Sequence, residues 1–385
     1  MSGFRIYCLK LLLACVLQIL GSTASVADGN SAEVRFSTLL EAIQSHRTGK
    51  SKSGTDDVSQ CPQSQWGAGE YSLFRGELER RFRVHVPASY DPQRPAPLVV
   101  AFHGWGGDDM EFLRHSAVRQ ELDARGVILI APSGLGPEEP GRQPASWSFS
   151  GSTTGLDGDN VNTSVIDDTN AICDDDRTID YTYPSCADVA ANGCSWTHCN
   201  DDDRDYAVAL VRAAKANLCV DEARVYAVGG SNGGMFSWDI GRELEAAQTF
   251  RAVASLIGLP HRGYLAPPVR VGGMPVLLVT GTNDPTVPPG NWGDKNFTTT
   301  TDGDVYYYTG ASAISEVWAE AHGCDVSVPP SAVDVGIDNV DCRGWNGCSG
   351  DGRWPPVLDC RRDMTHIYGL EWSWALVLDF FEQHQ

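Results

Sequence analysis

Past its first twenty residues the chain has no apolar run long enough to span a bilayer, which takes about 20 consecutive residues, so no integral membrane protein is expected. Positive charge is scarce: 29 Lys and Arg stand against 50 Asp and Glu, a formal net charge of −21. Such a surface repels phosphate backbones, which excludes nucleic acid as a partner and otherwise speaks only for solubility. There are no internal repeats. Recognised metal-site spacings are missing too. Cys194, His198 and Cys199 do not follow a zinc-finger pattern, and Asp157, Asp159, Asn160 and Asn162 break the EF-hand pattern at Val161. The former read better as bridge-forming cysteines and the latter as a solvated acidic loop, so neither a metal nor a cofactor is expected. Disorder is also disfavoured, because 42% of the residues are hydrophobic, enough for a large core. A length of 385 residues could hold two domains, but α/β chains often use this much in one.

The N-terminus reads as a targeting segment. Arg5 and Lys10 flank an apolar run reaching Leu20, and small residues follow as far as Ala24 and Ala27. This is the pattern of a secretory signal peptide cleaved after one of those alanines, spanning residues 1–27. A lipoprotein site at Leu12-Leu13-Ala14-Cys15 has too little apolar sequence before it. Of twelve cysteines, Cys8 and Cys15 leave with the signal and ten remain. An even number in an exported chain implies up to five disulfides of undetermined connectivity. Residues 28–65 are expected to hold an amphipathic helix, Glu33 to Ser45, and a polar linker. Residues 66–385 form the main domain, with a first strand near Arg81 to Val86. Between 133 and 203 hydrophobic periodicity gives way to Gly, Ser, Thr, Asp and Cys, the mark of a long functional loop. It reads as a disulfide-braced lid or rim that includes Trp147 and Trp196. A second cysteine-rich stretch, Cys324 to Cys360, is expected to form the opposite wall. Asn162 and Asn296 head glycosylation sequons.

The most informative stretch is Gly229-Gly230-Ser231-Asn232-Gly233, behind the apolar run Val225 to Val228 and before Gly234 to Ile240, which reads as a helix. The G-x-S-x-G form at a strand-to-helix turn holds one serine on a strained, exposed corner. A serine so placed needs a base and an acid, which in such folds follow it in the order acid, histidine. Pro275 to Gly281 reads as a buried parallel strand, and Asp284 stands just beyond its carboxyl end, where open α/β sheets put functional groups. An aspartate before a proline is equally a plain turn former. His366 occupies a loop ahead of a closing helix, Leu370 to Glu382. Asp363, three residues before it, lies beside Arg361 and Arg362 and reads as a charged loop residue. Upstream, the strand run Pro97 to Phe102 opens into His103-Gly104-Trp105-Gly106-Gly107, a glycine-rich loop able to aim a backbone N–H at a developing oxyanion. Trp105 and Asn232 are the expected backbone donors, and His103 is expected to brace the turn.

Together HGWGG, GGSNGGM, GTNDPTVP and DMTHIYG resemble the secreted polyhydroxybutyrate depolymerase and feruloyl esterase group of α/β-hydrolases, over roughly Phe82 to Phe381. The resemblance implies a mostly parallel central sheet flanked by helices, with Ser231 as nucleophile, Asp284 as acid and His366 as base. Many relatives carry cysteine at the position of Trp105 and tryptophan at that of Tyr368. Both residues are expected to line the substrate cleft, with Trp147. The implied activity is serine carboxylic-ester hydrolysis through an acyl-serine. Hydroxycinnamate esters of plant cell-wall carbohydrate are the first expectation and polyhydroxyalkanoate the alternative, because no separate binding domain follows His366. A secreted binding protein on the same fold is a third reading. The chain is expected to be exported, extracellular or periplasmic, monomeric, and without a stable membrane anchor.

Overall fold

The computed structural model describes residues 61–63, 65–136, 145–149, 172–174, 176–179, 194, 201–349 and 352–385. The expected signal peptide, the helix at Glu33, the first sequon, the acidic residues at 157–162, Trp196, His198, Cys186 and Cys199 lie outside them.

Strand-forming runs separate by the way they alternate. In β3 (Ala96–Phe102), Leu98, Val100 and Phe102 enter one apolar cluster while Val99 and Ala101 enter a second. Val276 and Leu278 of β7 (Val276–Gly281) likewise oppose Leu277 and Val279. Because side chains alternate along a strand, a continuous apolar run means both faces of the sheet are covered. Full burial of each such side chain contributes roughly 1.5–3 kcal/mol.

Helices supply the two covers. On one face, α1 (Ser116–Arg125) and α6 (Leu370–Gln383) bring Val118, Leu122, Trp374 and Leu378 to the second cluster. On the other lie α2 (Asp203–Asn217), α3 (Asn232–Ile240), α4 (Leu244–Thr249) and α5 (Ala311–Ala321), with Tyr206, Phe236, Ala246 and Trp318 in the first. Asp202 caps α2, its side chain accepting from the Arg204 N–H.

The remaining strands are β1 (Gly69–Arg75), β2 (Leu78–His85), β4 (Ile128–Pro132), β5 (Val220–Gly230), β6 (Ala252–Leu256), β8 (Phe297–Thr299), β9 (Tyr307–Thr309), β10 (Ser331–Val333), β11 (Val340–Gly344) and β12 (Val357–Arg362). The main sheet runs β1-β2-β4-β3-β5-β6-β7-β12-β11-β10. From β4 through β12 neighbours are parallel, while β1, β2, β11 and β10 are antiparallel additions at the edges. This is the α/β-hydrolase fold. Among the described residues the first strand is Gly69–Arg75, ahead of the one expected near Arg81; β1 alternates half-buried and exposed residues and so gives no apolar run to mark it.

Among the described residues four disulfides join Cys61 to Cys219, Cys173 to Cys194, Cys324 to Cys348 and Cys342 to Cys360. The last links register partners of β11 and β12. The Cys324–Cys360 stretch thus extends the sheet; it does not wall the cleft, whose lining includes none of its described residues. Among the described residues no helix is long and apolar enough to cross a membrane, and no group of His, Cys, Asp and Glu could hold a metal ion. Acidic residues at the start of α2 answer an arginine: Arg80 bonds Asp201 and Asp203 at 2.7 Å each, inside the protein.

Candidate active site

β5 ends at Gly230 and α3 begins at Asn232, so Ser231 alone makes the reversal. Its φ of 51° and ψ of −115° cost a non-glycine residue on the order of 1–3 kcal/mol. The corner is fastened by the Ser231 N–H donating to the Leu256 carbonyl at 2.8 Å, and by Met235 closing the first helical turn on the Ser231 carbonyl at 2.9 Å. Strand and helix pass closely. A Cβ on Gly229 would lie 1.9 Å from the Gly233 carbonyl oxygen, and one on Gly233 would lie 2.2 Å from that of Phe102. That crowding is the steric reason for both outer glycines of the motif.

Asp284 and His366 follow the carboxyl ends of β7 and β12, and the two strand exits are laced by the Thr282 N–H to the Arg362 carbonyl and the Asn283 N–H to that of Met364, at 2.8 and 3.1 Å. His366 Nε2 stands 2.9 Å from Ser231 Oγ, and its Nδ1 stands 2.7 Å from Asp284 Oδ2. The Asp284 side chain is fully buried. Its other oxygen, Oδ1, accepts the backbone N–H groups of Thr286 and Val287 at 2.8 and 2.9 Å. A carboxylate satisfied on both oxygens accepts from imidazole, so the proton sits on Nδ1 and Nε2 faces the serine with its lone pair. The arrangement can take a proton from Ser231 as its oxygen attacks an electrophile. Asp363 is exposed and accepts from the Asn283 amide instead.

The glycine-rich loop is held from several sides. His103 donates through Nδ1 to the Gly104 carbonyl at 2.6 Å and accepts through Nε2 from the Gly134 N–H at 2.8 Å. Burial lowers its pKa and keeps this brace neutral. The Gly106 N–H donates to Ala145, and that of Gly107 closes a turn on Gly104. Trp147, expected in the cleft, is instead fully buried. Its indole N–H donates to the His103 carbonyl at 2.7 Å and its backbone N–H to Asn232 Oδ1 at 2.9 Å. A large ring packed against Phe102 and Phe236 gains more from the core than from solvent, and its one polar atom finds a partner there. Trp147 therefore staples the end of β3 to the start of α3.

Trp105, 37% exposed, stands between two cavities that meet at Ser231 and His366. The larger, about 480 Å³, includes Glu111, His115, Tyr368 and Glu371 in its lining. The smaller, about 270 Å³, is lined by Thr286, Thr300, Asp302, Asp304, Tyr306 and Tyr308. Tyr368 is among the residues that line the larger cavity. Its hydroxyl donates to Glu111 Oε1 at 2.5 Å, and the same oxygen accepts the Gly104 N–H at 2.9 Å. Burial and then the Glu111 charge push the phenol well above its usual pKa, so it remains a donor. Glu111 thus ties the glycine-rich loop to the histidine loop. Neither it nor the smaller cavity is anticipated by the sequence motifs; the aromatic run Tyr306-Tyr307-Tyr308 is the only local signal.

No protein-family model matches the chain. Among curated proteins, "Putative esterase NocK" of Nocardia uniformis subsp. tsuyamanensis is 29% identical over 218 residues, 54% of this chain and 46% of that protein. The chain thus spans about half the length of the curated relative it matches. Among solved structures, an acetyl xylan esterase from Aspergillus awamori aligns over 82% of this chain and 99% of its own at 13% identity and TM-score 0.47. An S-formylglutathione hydrolase from Agrobacterium tumefaciens aligns over 85% and 99% at 12% identity and TM-score 0.42. The strand order and the elbow, not these likenesses, define the fold.

Proposed function

We propose that this chain is an exported serine carboxylic-ester hydrolase that cleaves hydroxycinnamate esters of carbohydrate. The reading rests on one observation above the others: the relay from Ser231 through His366 to the buried Asp284, with contacts of 2.9 and 2.7 Å, opening on both cavities. In this reading Ser231 Oγ adds to the ester carbonyl while His366 Nε2 takes its proton. Asp284 holds the imidazole and stabilises the imidazolium. The oxyanion forms against the backbone N–H groups of Trp105 and Asn232, each contributing roughly 3 kcal/mol to the transition state. His366 then protonates the departing alcohol, and water, activated by the same imidazole, releases the acid from the acyl-serine. None of these steps uses a cofactor.

The smaller cavity favours an aromatic acid, since the aromatic residues Trp105, Tyr306 and Tyr308 are among its lining. The larger cavity, with Glu111, His115 and Glu371, suits a hydroxyl-rich alcohol. Export is read from the N-terminal pattern and accords with the disulfides. The test is a panel of methyl ferulate, p-nitrophenyl butyrate and polyhydroxybutyrate film with wild type and Ser231→Ala. Hydrolysis of methyl ferulate with the highest kcat/KM, abolished in a folded Ser231→Ala protein, is the expected result. Depolymerisation of the film without ferulate release would move the reading to polyesters, and unchanged activity in Ser231→Ala would remove the nucleophile.

A further inference from the structure

The parallel strands have a second end. Arg251, Pro275 and Pro356 immediately precede β6, β7 and β12, and the three strand starts are tied side by side: Arg251 N–H to Val225, Val253 N–H to Pro275 and Val276 N–H to Pro356, at 2.7, 3.0 and 2.8 Å. A cavity of about 230 Å³ opens there, whose lining includes Arg251, Arg270, His322, Ser349, Trp354 and His384. Strands of five or six residues at roughly 3.3 Å each put it about 16–20 Å from the ends that carry Ser231, Asp284 and His366. It shares no lining residue with the two catalytic cavities.

Its chemistry is the inverse of the rest of the protein. The chain carries a net charge of −21, and arginines such as Arg80, Arg125 and Arg361 sit in ion pairs with carboxylates. Among the described residues, by contrast, no Asp or Glu side chain lines this cavity, whose one carboxylate-bearing residue is Gln385 through its terminal group, and neither Arg251 nor Arg270 forms an ion pair within 4.0 Å. Arg270 spends one donor on the Phe250 carbonyl at 3.3 Å. Burial first, and then the Arg251 charge, lower its pKa, the signature of a cation left uncompensated. Three further polar atoms of the lining, His322 Nε2, His384 Nε2 and the Trp354 indole nitrogen, are buried with no partner. Burial keeps both imidazoles neutral, so the unambiguous spare donors are the Trp354 indole N–H and the two guanidiniums; buried donors are nearly always satisfied, which calls for an outside acceptor.

We propose that this cavity is a binding site for a small oxyanion, gripped by Arg251 and Arg270, with the Trp354 N–H completing the shell. Guanidiniums suit such a ligand because their planar donor pairs match the oxygens of phosphate, sulfate and carboxylate alike. The volume lies below the roughly 300–1,000 Å³ of sites for drug-sized ligands, so the occupant is a free oxyanion or the acid group of a single sugar.

The experiment is thermal unfolding and calorimetric titration of the whole protein with inorganic phosphate and, separately, glucuronate, against sodium chloride at matched ionic strength. Wild type should show saturable binding and a concentration-dependent rise in Tm with at least one of the two, and no rise with chloride. Phosphate alone points to a free oxyanion, and glucuronate to a sugar acid. Arg251→Gln and Arg270→Gln should each weaken binding by at least about tenfold while ester hydrolysis stays as in wild type. Without ligand, either variant should melt no lower than wild type, since it relieves repulsion between the two cations. Absence of saturable binding, or binding undiminished in both variants, overturns the site. A fall in ligand-free Tm in both variants, with affinity kept, would make the arginines packing groups and overturn it equally.

Discussion

Replacing Asp284 by asparagine changes one oxygen for an NH₂ group, and the surroundings decide which way the amide turns. Oδ1 accepts two backbone N–H groups, from Thr286 and Val287 at 2.8 and 2.9 Å. An amide NH₂ cannot take that place without opposing two donors, so it must face His366 Nδ1, 2.7 Å away from the oxygen it replaces. Nδ1 then has to accept, and the ring proton moves to Nε2, pointing at Ser231 Oγ across 2.9 Å. The base is thereby occupied. The expected loss in kcat is on the order of 10⁴, or about 5.4 kcal/mol at ~1.36 kcal/mol per tenfold, with KM little changed. Stability should hardly move, because the amide oxygen keeps both backbone donors satisfied. Asp284→Ala is the contrast: it leaves those two N–H groups without acceptors in the interior, at about 1–3 kcal/mol each. Steady-state kinetics on methyl ferulate beside denaturant unfolding separates the two effects, with Asp363→Asn as control. An Asp284→Asn enzyme within tenfold of wild type, or an Asp363→Asn enzyme that loses turnover, would refute the assignment of the acid.

Four further outcomes are expected. Gly230→Ala would put a Cβ 2.1 Å from the Tyr368 ring, forcing that ring and the His366 loop to shift; turnover should fall about 10²-fold in a folded protein, and unchanged kcat/KM would count against the coupling of the two loops. Arg80→Ala strips the guanidinium that bonds Asp201 and Asp203 and lies 3.9 Å over the Tyr206 ring, and should cost about 3–5 kcal/mol by urea unfolding. His261 is enclosed by Phe149, Tyr306 and Tyr308, and burial pulls its pKa from 6.5 down to about 4. The unfolded chain therefore takes up this proton first as pH falls: the stability is whole above pH ~6.5 and declines toward pH ~4 by roughly 3 kcal/mol. Tm measured across that range should fall less steeply in His261→Gln, though His384, whose pKa is also lowered to about 4, titrates in the same window. Finally, the eight bridged cysteines should resist thiol titration without denaturant, and reduction of the four described bonds should lower Tm, each bond contributing about 2–4 kcal/mol.

How much of this was legible in the residues follows from the range of the forces involved. Alternation and apolar runs are local, so the buried strands at 96–102 and 276–281 and the closing helix from Leu370 could be read within a residue or two. The elbow is local as well, because Gly229, Ser231 and Gly233 answer a clash between a strand and the helix directly after it. The order of Ser231, Asp284 and His366 along the chain named candidates for one site. Their approach to within 2.9 Å depends on β5, β7 and β12 exiting the same edge of one sheet, which no local pattern encodes. Tertiary structure alone turned Trp147 from a rim residue into a buried staple. It set the Asp201–Asp203 run against Arg80, and it paired Glu111 with Tyr368 across 257 positions of sequence. The smaller cavity and the cationic pocket at the far end of the strands share that origin. Each is assembled from segments distant in the chain, and its chemistry is a property of their meeting rather than of any one segment.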